Sequence, residues 1–187
     1  MLGGKKTCPV CGNKMGFFGS ATLKDGKVCE RCFTMAQIAR GELTAKNESL
    51  VSINRYIWDY ANERENLIKE LGPDCRVFRV VSKGIADLEE ILVGPFNYKA
   101  LNRHVYVFGH AINGTFKDRM SAYIIHDGLK IPVMVMAAVG ANEKDDLSLV
   151  LSKEHFNEPV HSPASGKLVL NIANPDMVEK GDYIVLK

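Results

Sequence analysis

Between residues 43 and 72, apolar side chains recur at Leu50, Ile53, Ile57, Tyr60, Ala61, Leu67, Ile68 and Leu71, in steps of three and four broken by Arg64. This spacing predicts one amphipathic helix, because such residues share a face at the helical period. Asn47 or Ser49 is suited to cap its start, Glu65 and Lys69 form a favourable i,i+4 pair, and Gly72-Pro73 ends it. A shorter helix is expected over 33–40, with Arg40 in its last turn and Gly41 as the stop. From Arg76 the pattern changes to short apolar runs bounded by Gly, Asn, Asp and Pro. The runs 76–81, 88–93, 105–111, 122–125, 131–138, 147–151, 167–172 and 183–186 are eight strand candidates, which predicts a closed barrel or a sandwich. Ahead of the helices, 14–23 and 27–28 read as a hairpin turning at Asp25-Gly26.

A chain of 187 residues holds one domain, or one domain and a small module, which excludes a large multidomain machine. Its 46% hydrophobic and 25% charged residues exclude a disordered chain. The start, Met1-Leu2-Gly3-Gly4-Lys5-Lys6-Thr7, has no apolar segment of a secretory signal. The longest nearly apolar run, 131–141, is 11 residues, well under the ~20 that cross a bilayer. These features predict a soluble, cytoplasmic protein without membrane association. The net charge of +2 names no partner, but it is uneven: residues 1–40 hold seven basic and two acidic side chains, a net +5, and the remainder carries −3. Two unlike parts are averaged in that +2.

Four of the five cysteines fall within 25 residues, as Cys8-Pro9-Val10-Cys11 and Cys29-Glu30-Arg31-Cys32. Under the reducing conditions of a cytoplasm, such paired C-x2-C spacing is used for metal. Each two-residue spacer lets the chain curl so that both sulfurs face one ion, and Gly12 supplies a sharp turn after the second ligand. Four thiolates complete a tetrahedron and leave no open position, so the expected metal is structural, one Zn(II) per chain. Segments of this size cannot otherwise build a sufficient core. A rubredoxin-type iron site uses similar knuckles, and two disulfides are the remaining alternative. With four thiolates and Zn(II), the head keeps about +3, a face able to touch phosphates or to stay simply solvated.

The lysines before Cys8, the run from Cys8 to Gly19, Leu23, Asp25-Gly26 and the Cys29–Cys32 pair resemble a small zinc-binding domain at the N-termini of bacterial proteins of unknown function. That resemblance implies zinc and little about activity. A second one concerns the C-terminal part. Phe78-Arg79-Val80-Val81, Lys83-Gly84, Ile91-Leu92-Val93-Gly94, Tyr98-Lys99 and Val105-Tyr106-Val107-Phe108-Gly109 resemble the first half of the β-barrel that follows the GTPase domain in elongation factor Tu and related translation factors. The stretches 166–172 and 178–186 resemble its closing strands. The chain departs from that family at Asn102-Arg103, where a Gly-Asp turn is usual, and over 110–165, which matches poorly. The resemblance implies a six-stranded barrel that binds RNA or another protein domain and performs no chemistry. No P-loop occurs: neither Gly26-Lys27 nor Gly166-Lys167 sits in G-x-x-x-x-G-K-[ST], so no nucleotide is expected.

An enzyme would have to draw on His104, His110, His126, His155 and His161, yet no H-E-x-x-H or G-x-S-x-G occurs. Cys75 reads as a structural thiol rather than half of a Cys-His pair. Residues 162–167 and 178–182 look slightly like a biotinyl or lipoyl carrier, but Met134-Val135-Met136 has valine where the carrier lysine belongs.

The expected architecture is α+β: a four-cysteine zinc ribbon with a short following helix (1–40), a connecting amphipathic helix (43–72) and an antiparallel β-barrel (75–187). The expected function is non-enzymatic, a zinc-binding adaptor recognising a protein or RNA partner and connected with translation. The alternative is an enzyme with a histidine site in the β-domain. The chain is expected as a monomer or as a homodimer through the 43–72 helix.

Overall fold

A computed structural model of the chain describes residues 7–16, 19–41, 43–86, 104–140 and 159–186. The chain divides into two units, Met1–Glu70 and Leu71–Lys187.

In the first unit, strands β1 (Ser20–Thr22) and β2 (Lys27–Cys29) form the expected hairpin, with Thr22 opposite Lys27 and the Leu23 N–H donating to the Gly26 carbonyl at 2.8 Å. Helix α1 (Glu30–Arg40) begins three residues earlier than the apolar pattern predicts. Cys29 adopts the extended N-cap conformation, and Glu30 places a negative charge in the first turn, where the helix dipole favours it. The helix ends at Gly41, whose φ of +95° suits glycine and whose N–H donates to the Gln37 carbonyl.

A single 3-10 turn (Ala45–Asn47) leads into α2 (Leu50–Leu71), and of the two cap candidates Ser49 is the one used. Its Oγ accepts from the Ser52 N–H at 3.1 Å and the Ser52 Oγ accepts from the Ser49 N–H at 2.9 Å, a reciprocal capping box with serine in place of glutamate. Asp25 Oδ1 accepts the Leu50 N–H at 2.9 Å and so ties the hairpin turn to the start of α2. Removing the cap by Ser49→Ala is expected to cost about 1 kcal/mol of stability, seen as a lower urea midpoint with unchanged slope. The apolar stripe is present but narrower than predicted. Ile53, Tyr60 and Leu67, seven residues apart, are buried, whereas Ala61 lies about 100° from the middle of that face at 100° per residue and is exposed. Glu65 and Lys69 pair at 2.7 Å, both well exposed, which contributes little.

The second unit holds six barrel strands, β3 (Arg76–Ala86), β4 (His104–Asn113), β6 (Met120–His126), β7 (Leu129–Gly140), β9 (Ala164–Asn171) and β10 (Tyr183–Leu186). They form a closed, wholly antiparallel barrel in the order β10-β3-β4-β9-β7-β6. Closure leaves no free edge. Six of the eight predicted runs are these strands; 88–93 and 147–151 lie outside the described residues. Two short strands had no apolar run to announce them: β5 (Thr115–Phe116) and β8 (Val160–His161), which pair with each other. The poorly matching stretch 110–165 thus contains two of the barrel strands.

Alternation along the strands sends Phe78, Val80, Val105, Val107, Ile124, Val135, Leu168, Leu170, Ile184 and Leu186 into one core. Phe78 meets Phe116 edge to face at 5.4 Å between ring centres. At the β6–β7 turn, Asp127 and Gly128 have φ of +47° and +78°, the left-handed pair that an Asp-Gly two-residue hairpin requires. Met134-Val135-Met136 lies inside β7 with Val135 buried, away from any hairpin tip, so the carrier likeness has no structural counterpart.

Candidate metal centre

The first ligand pair is built by a tight turn. The Gly12 N–H donates to the Cys8 carbonyl and the Cys8 N–H to the Asn13 carbonyl, both at 2.8 Å, while Thr7 and Lys14 bridge the base. Gly12 takes φ +72°, a left-handed value that allows the chain to reverse after Cys11. The second pair is built differently. Cys29 ends β2 and caps α1, and Cys32 lies in the first helical turn, so one pair comes from a turn and the other from a strand–helix junction. The positive end of the α1 dipole therefore faces the sulfurs, which favours thiolate.

All four Sγ atoms lie within 4.8 Å of one another, with Cys11–Cys29 at 3.6 Å and Cys8–Cys32 at 3.9 Å. A tetrahedron with metal–sulfur bonds of about 2.3 Å has edges of about 3.8 Å, so the set fits one ion. The same distances are too long for a disulfide of about 2.05 Å, and the cysteines are free. Beneath the sulfurs, buried Leu23, Val28, Ala36 and Ile53 join Cys8 and Cys32 in the small core of this unit. The site is thus the lid of that core. Among the described residues no other group of three or more His, Cys, Asp and Glu could hold a metal.

Electrostatics argue for a cation in this place. Burial opposes ionisation of Cys8, but backbone N–H groups of Cys29, Cys11 and Val10 outweigh it and bring the thiol down to about 6. Burial, then hydrogen bonds to Cys29 and Cys11, push the Cys32 thiol up, and burial pushes Cys29 up as well. The protein alone favours thiolate at Cys8 and opposes it at Cys29 and Cys32; a divalent ion removes that conflict by deprotonating its ligands. Because protons compete with the metal for sulfur, metal retention is expected to fall as pH drops below neutrality, measurable with a colorimetric chelator across a pH series.

The histidines have separate roles. His110 Nδ1 lies 3.0 Å from Ser165 Oγ, His126 Nδ1 3.0 Å from Asp182 Oδ2, and His161 Nδ1 2.9 Å from Thr115 Oγ1. His155 and the side chain of His104 lie outside the described residues. Asp182, absent from the sequence-based candidates, also accepts the Glu179 N–H at 2.7 Å, so it closes the turn before β10 while holding His126; the Gly181-Asp182 dipeptide was its signal. Cys75 is buried, and its carbonyl accepts from the Asn113 side chain.

His110 is nine-tenths buried. Burial, with Arg79 beside it, lowers its pKa to about 4 from an ordinary 6.5, so it is a neutral and weakly basic imidazole. The unfolded chain then binds the extra proton between about pH 6.5 and 4, and stability falls as pH falls through that window by about 3 kcal/mol. Urea unfolding at pH 7 and pH 4.5 should show this loss, and His110→Gln should reduce it.

Residues 7–50 match the model of a family described as a domain of unknown function, DUF4428. No curated protein matches the chain. Among solved structures, the chain is similar to the S. cerevisiae Ski7 GTPase-like domain bound to GTP, at 11% identity and a TM-score of 0.42, over 78% of this chain and 30% of that one. It is also similar to GDP-bound aIF5B from Aeropyrum pernix, at 13% identity and a TM-score of 0.36, over 77% of this chain and 24% of that one. The chain therefore spans less than a third of either protein's length.

Proposed function

We propose that the protein is a non-enzymatic binding module whose head is held by one structural Zn(II) per chain, ligated by Cys8, Cys11, Cys29 and Cys32, and whose partner is a protein or an RNA. The carrying observation is the four-sulfur set within 4.8 Å, which fills a tetrahedron and leaves no position for substrate. Zinc bound there supplies folding free energy to a unit with a small core, not a nucleophile. The engagement of His110, His126 and His161 with three different partners supports a role without chemistry. The sequence likeness of the barrel to a translation-factor binding domain makes ribosomal RNA and ribosomal proteins the first partners to try, in a cytoplasmic setting. Elemental analysis of freshly purified chain should return one zinc per chain; stoichiometric iron, or no metal, would refute the assignment. Copurification of RNA or ribosomes that weakens with salt is the expected mark of the partner.

A further inference from the structure

The four sulfurs of the metal centre are not equally exposed; they lie in two layers. Cys8 and Cys32 are each 1% exposed and belong to the core of this unit, whereas Cys11 is exposed and Cys29 is half-buried. Each C-x2-C pair therefore contributes one inner and one outer sulfur. The inner sulfurs lie 3.9 Å apart and the outer sulfurs 3.6 Å apart, so both close approaches run between the pairs. The inner layer is also held by the Cys29 N–H, which donates to Cys8 Sγ at 3.4 Å.

The outer layer has room to move. Cys11, Gly12, Asn13 and Lys14 are all exposed, and among the described residues nothing lies within 4 Å of a Cβ placed on Gly12 or Gly16. Closing the outer pair from 3.6 Å to a disulfide of about 2.05 Å asks for a shift of about 1.5 Å, which displaces no packed side chain at this turn. An accessible thiolate with a second sulfur beside it to resolve the first product is the arrangement that reacts with peroxides. A site with all four sulfurs sealed in the core would offer no such entry.

We propose that the outer pair is an oxidation site for hydroperoxides, with Cys11 as the attacking thiolate and Cys29 as the resolving one, and that its oxidation releases the metal and loosens the head. This rests on the four-thiolate metal reading and adds a chemistry at its exposed edge. The Cys11 thiolate attacks a peroxide oxygen, the O–O bond breaks, and the departing alkoxide or hydroxide takes up a proton. The Cys29 thiolate then attacks the sulfur of the Cys11 sulfenic acid; the S–S bond forms, the S–O bond breaks, and hydroxide leaves to become water. Two thiolates give up two electrons, and one hydroperoxide becomes an alcohol and water, or two waters from hydrogen peroxide. Only Cys8 and Cys32 then remain as ligands, too few to hold the ion. The event is a stoichiometric modification, reversed by a thiol reductant, and involves no turnover.

Trypsin separates the ligands, because cleavage after Lys6, Lys14, Lys27, Arg31 and Arg40 places Cys8 and Cys11 in peptide 7–14, Cys29 in 28–31 and Cys32 in 32–40. The whole chain is loaded with Zn(II), its metal content is measured, and it is treated with hydrogen peroxide while a colorimetric chelator follows release. Release should be near-complete, and mass spectrometry should find 7–14 joined to 28–31 through Cys11 and Cys29. Dithiothreitol with added Zn(II) should restore one metal per chain. On the untreated loaded chain, brief N-ethylmaleimide should modify Cys11 first and Cys8 and Cys32 last. A dominant link between 28–31 and 32–40, or one internal to 7–14, overturns the proposal. So does metal retained with all four thiols intact, oxidation of Cys11 that stops at sulfinic acid, or labelling of Cys8 or Cys32 ahead of Cys11. A chain that takes up no Zn(II) refutes the metal reading instead, and the disulfide map still decides whether Cys11 and Cys29 are the reactive pair.

Discussion

Cys32→Ser is expected to unfold the head while the barrel stays folded. Cys32 is 1% exposed and belongs both to the ligand set and to the small core with Leu23, Val28, Ala36 and Ile53. A structural zinc with four thiolates contributes on the order of 10–16 kcal/mol of apparent binding free energy, as much as the whole net stability of about 5–15 kcal/mol of most domains. The apolar residues buried here are too few to replace it. In hydrogen exchange read peptide by peptide, segments from 7–57 should exchange within seconds and β4 should stay protected. Content of the metal proposed for this site should fall to near zero, and a chelator acting on the unmodified protein should reproduce the pattern. Cys11→Ser, which removes an exposed ligand without disturbing the core, should have the same sign and a smaller effect on protection. Retained protection of α1 in Cys32→Ser would show that the head does not depend on metal.

The second large effect is expected at Gly109. This residue lies opposite Val80 on β3 and Gly166 on β9, and a Cβ placed on it would sit 2.0 Å from the Arg79 carbonyl oxygen and 2.6 Å from Phe78 Cε1. The oxygen belongs to a backbone strand held on both sides, and Phe78 is fully buried, so neither can give way. Gly109→Ala should therefore destabilise the barrel by at least about 3 kcal/mol, the upper range for overpacking. Gly140→Ala is the control within the same sheet. Nothing lies within 4 Å of a Cβ there, and its cost should stay within about 0.5 kcal/mol. Denaturant midpoints of the two variants decide the matter: similar midpoints would mean that the strands at Gly109 are not so closely apposed.

How much could be read from residues alone differs between the two units. In the head, the C-x2-C pairs and the Asp25-Gly26 turn are local signals, because ligand geometry and turn chemistry operate over a few residues. The start of α1 was hidden because Glu30 and Arg31 are polar; it is the cap at Cys29 that marks it. On α2 the helical period was plain, but which part of the stripe is covered was not. Ala61 belongs to the stripe by period and is nonetheless exposed.

In the barrel, alternation of apolar residues located the strands, since a pleated strand must turn every second side chain to the core. Strand order was another matter. β9 lies between β4 and β7, and β10 between β6 and β3, pairings between segments far apart in the chain.

The sequence by itself determined the four-cysteine cluster, the helices and the strand-rich C-terminal part, because these follow from spacing and period within short windows. Only the tertiary structure decided how the barrel closes, why Gly109 has to be glycine, which partners His110 and His126 take, and that Trp58 remains exposed. Each of those depends on which distant surfaces meet, and the free energy of that meeting is shared among residues that no local pattern connects.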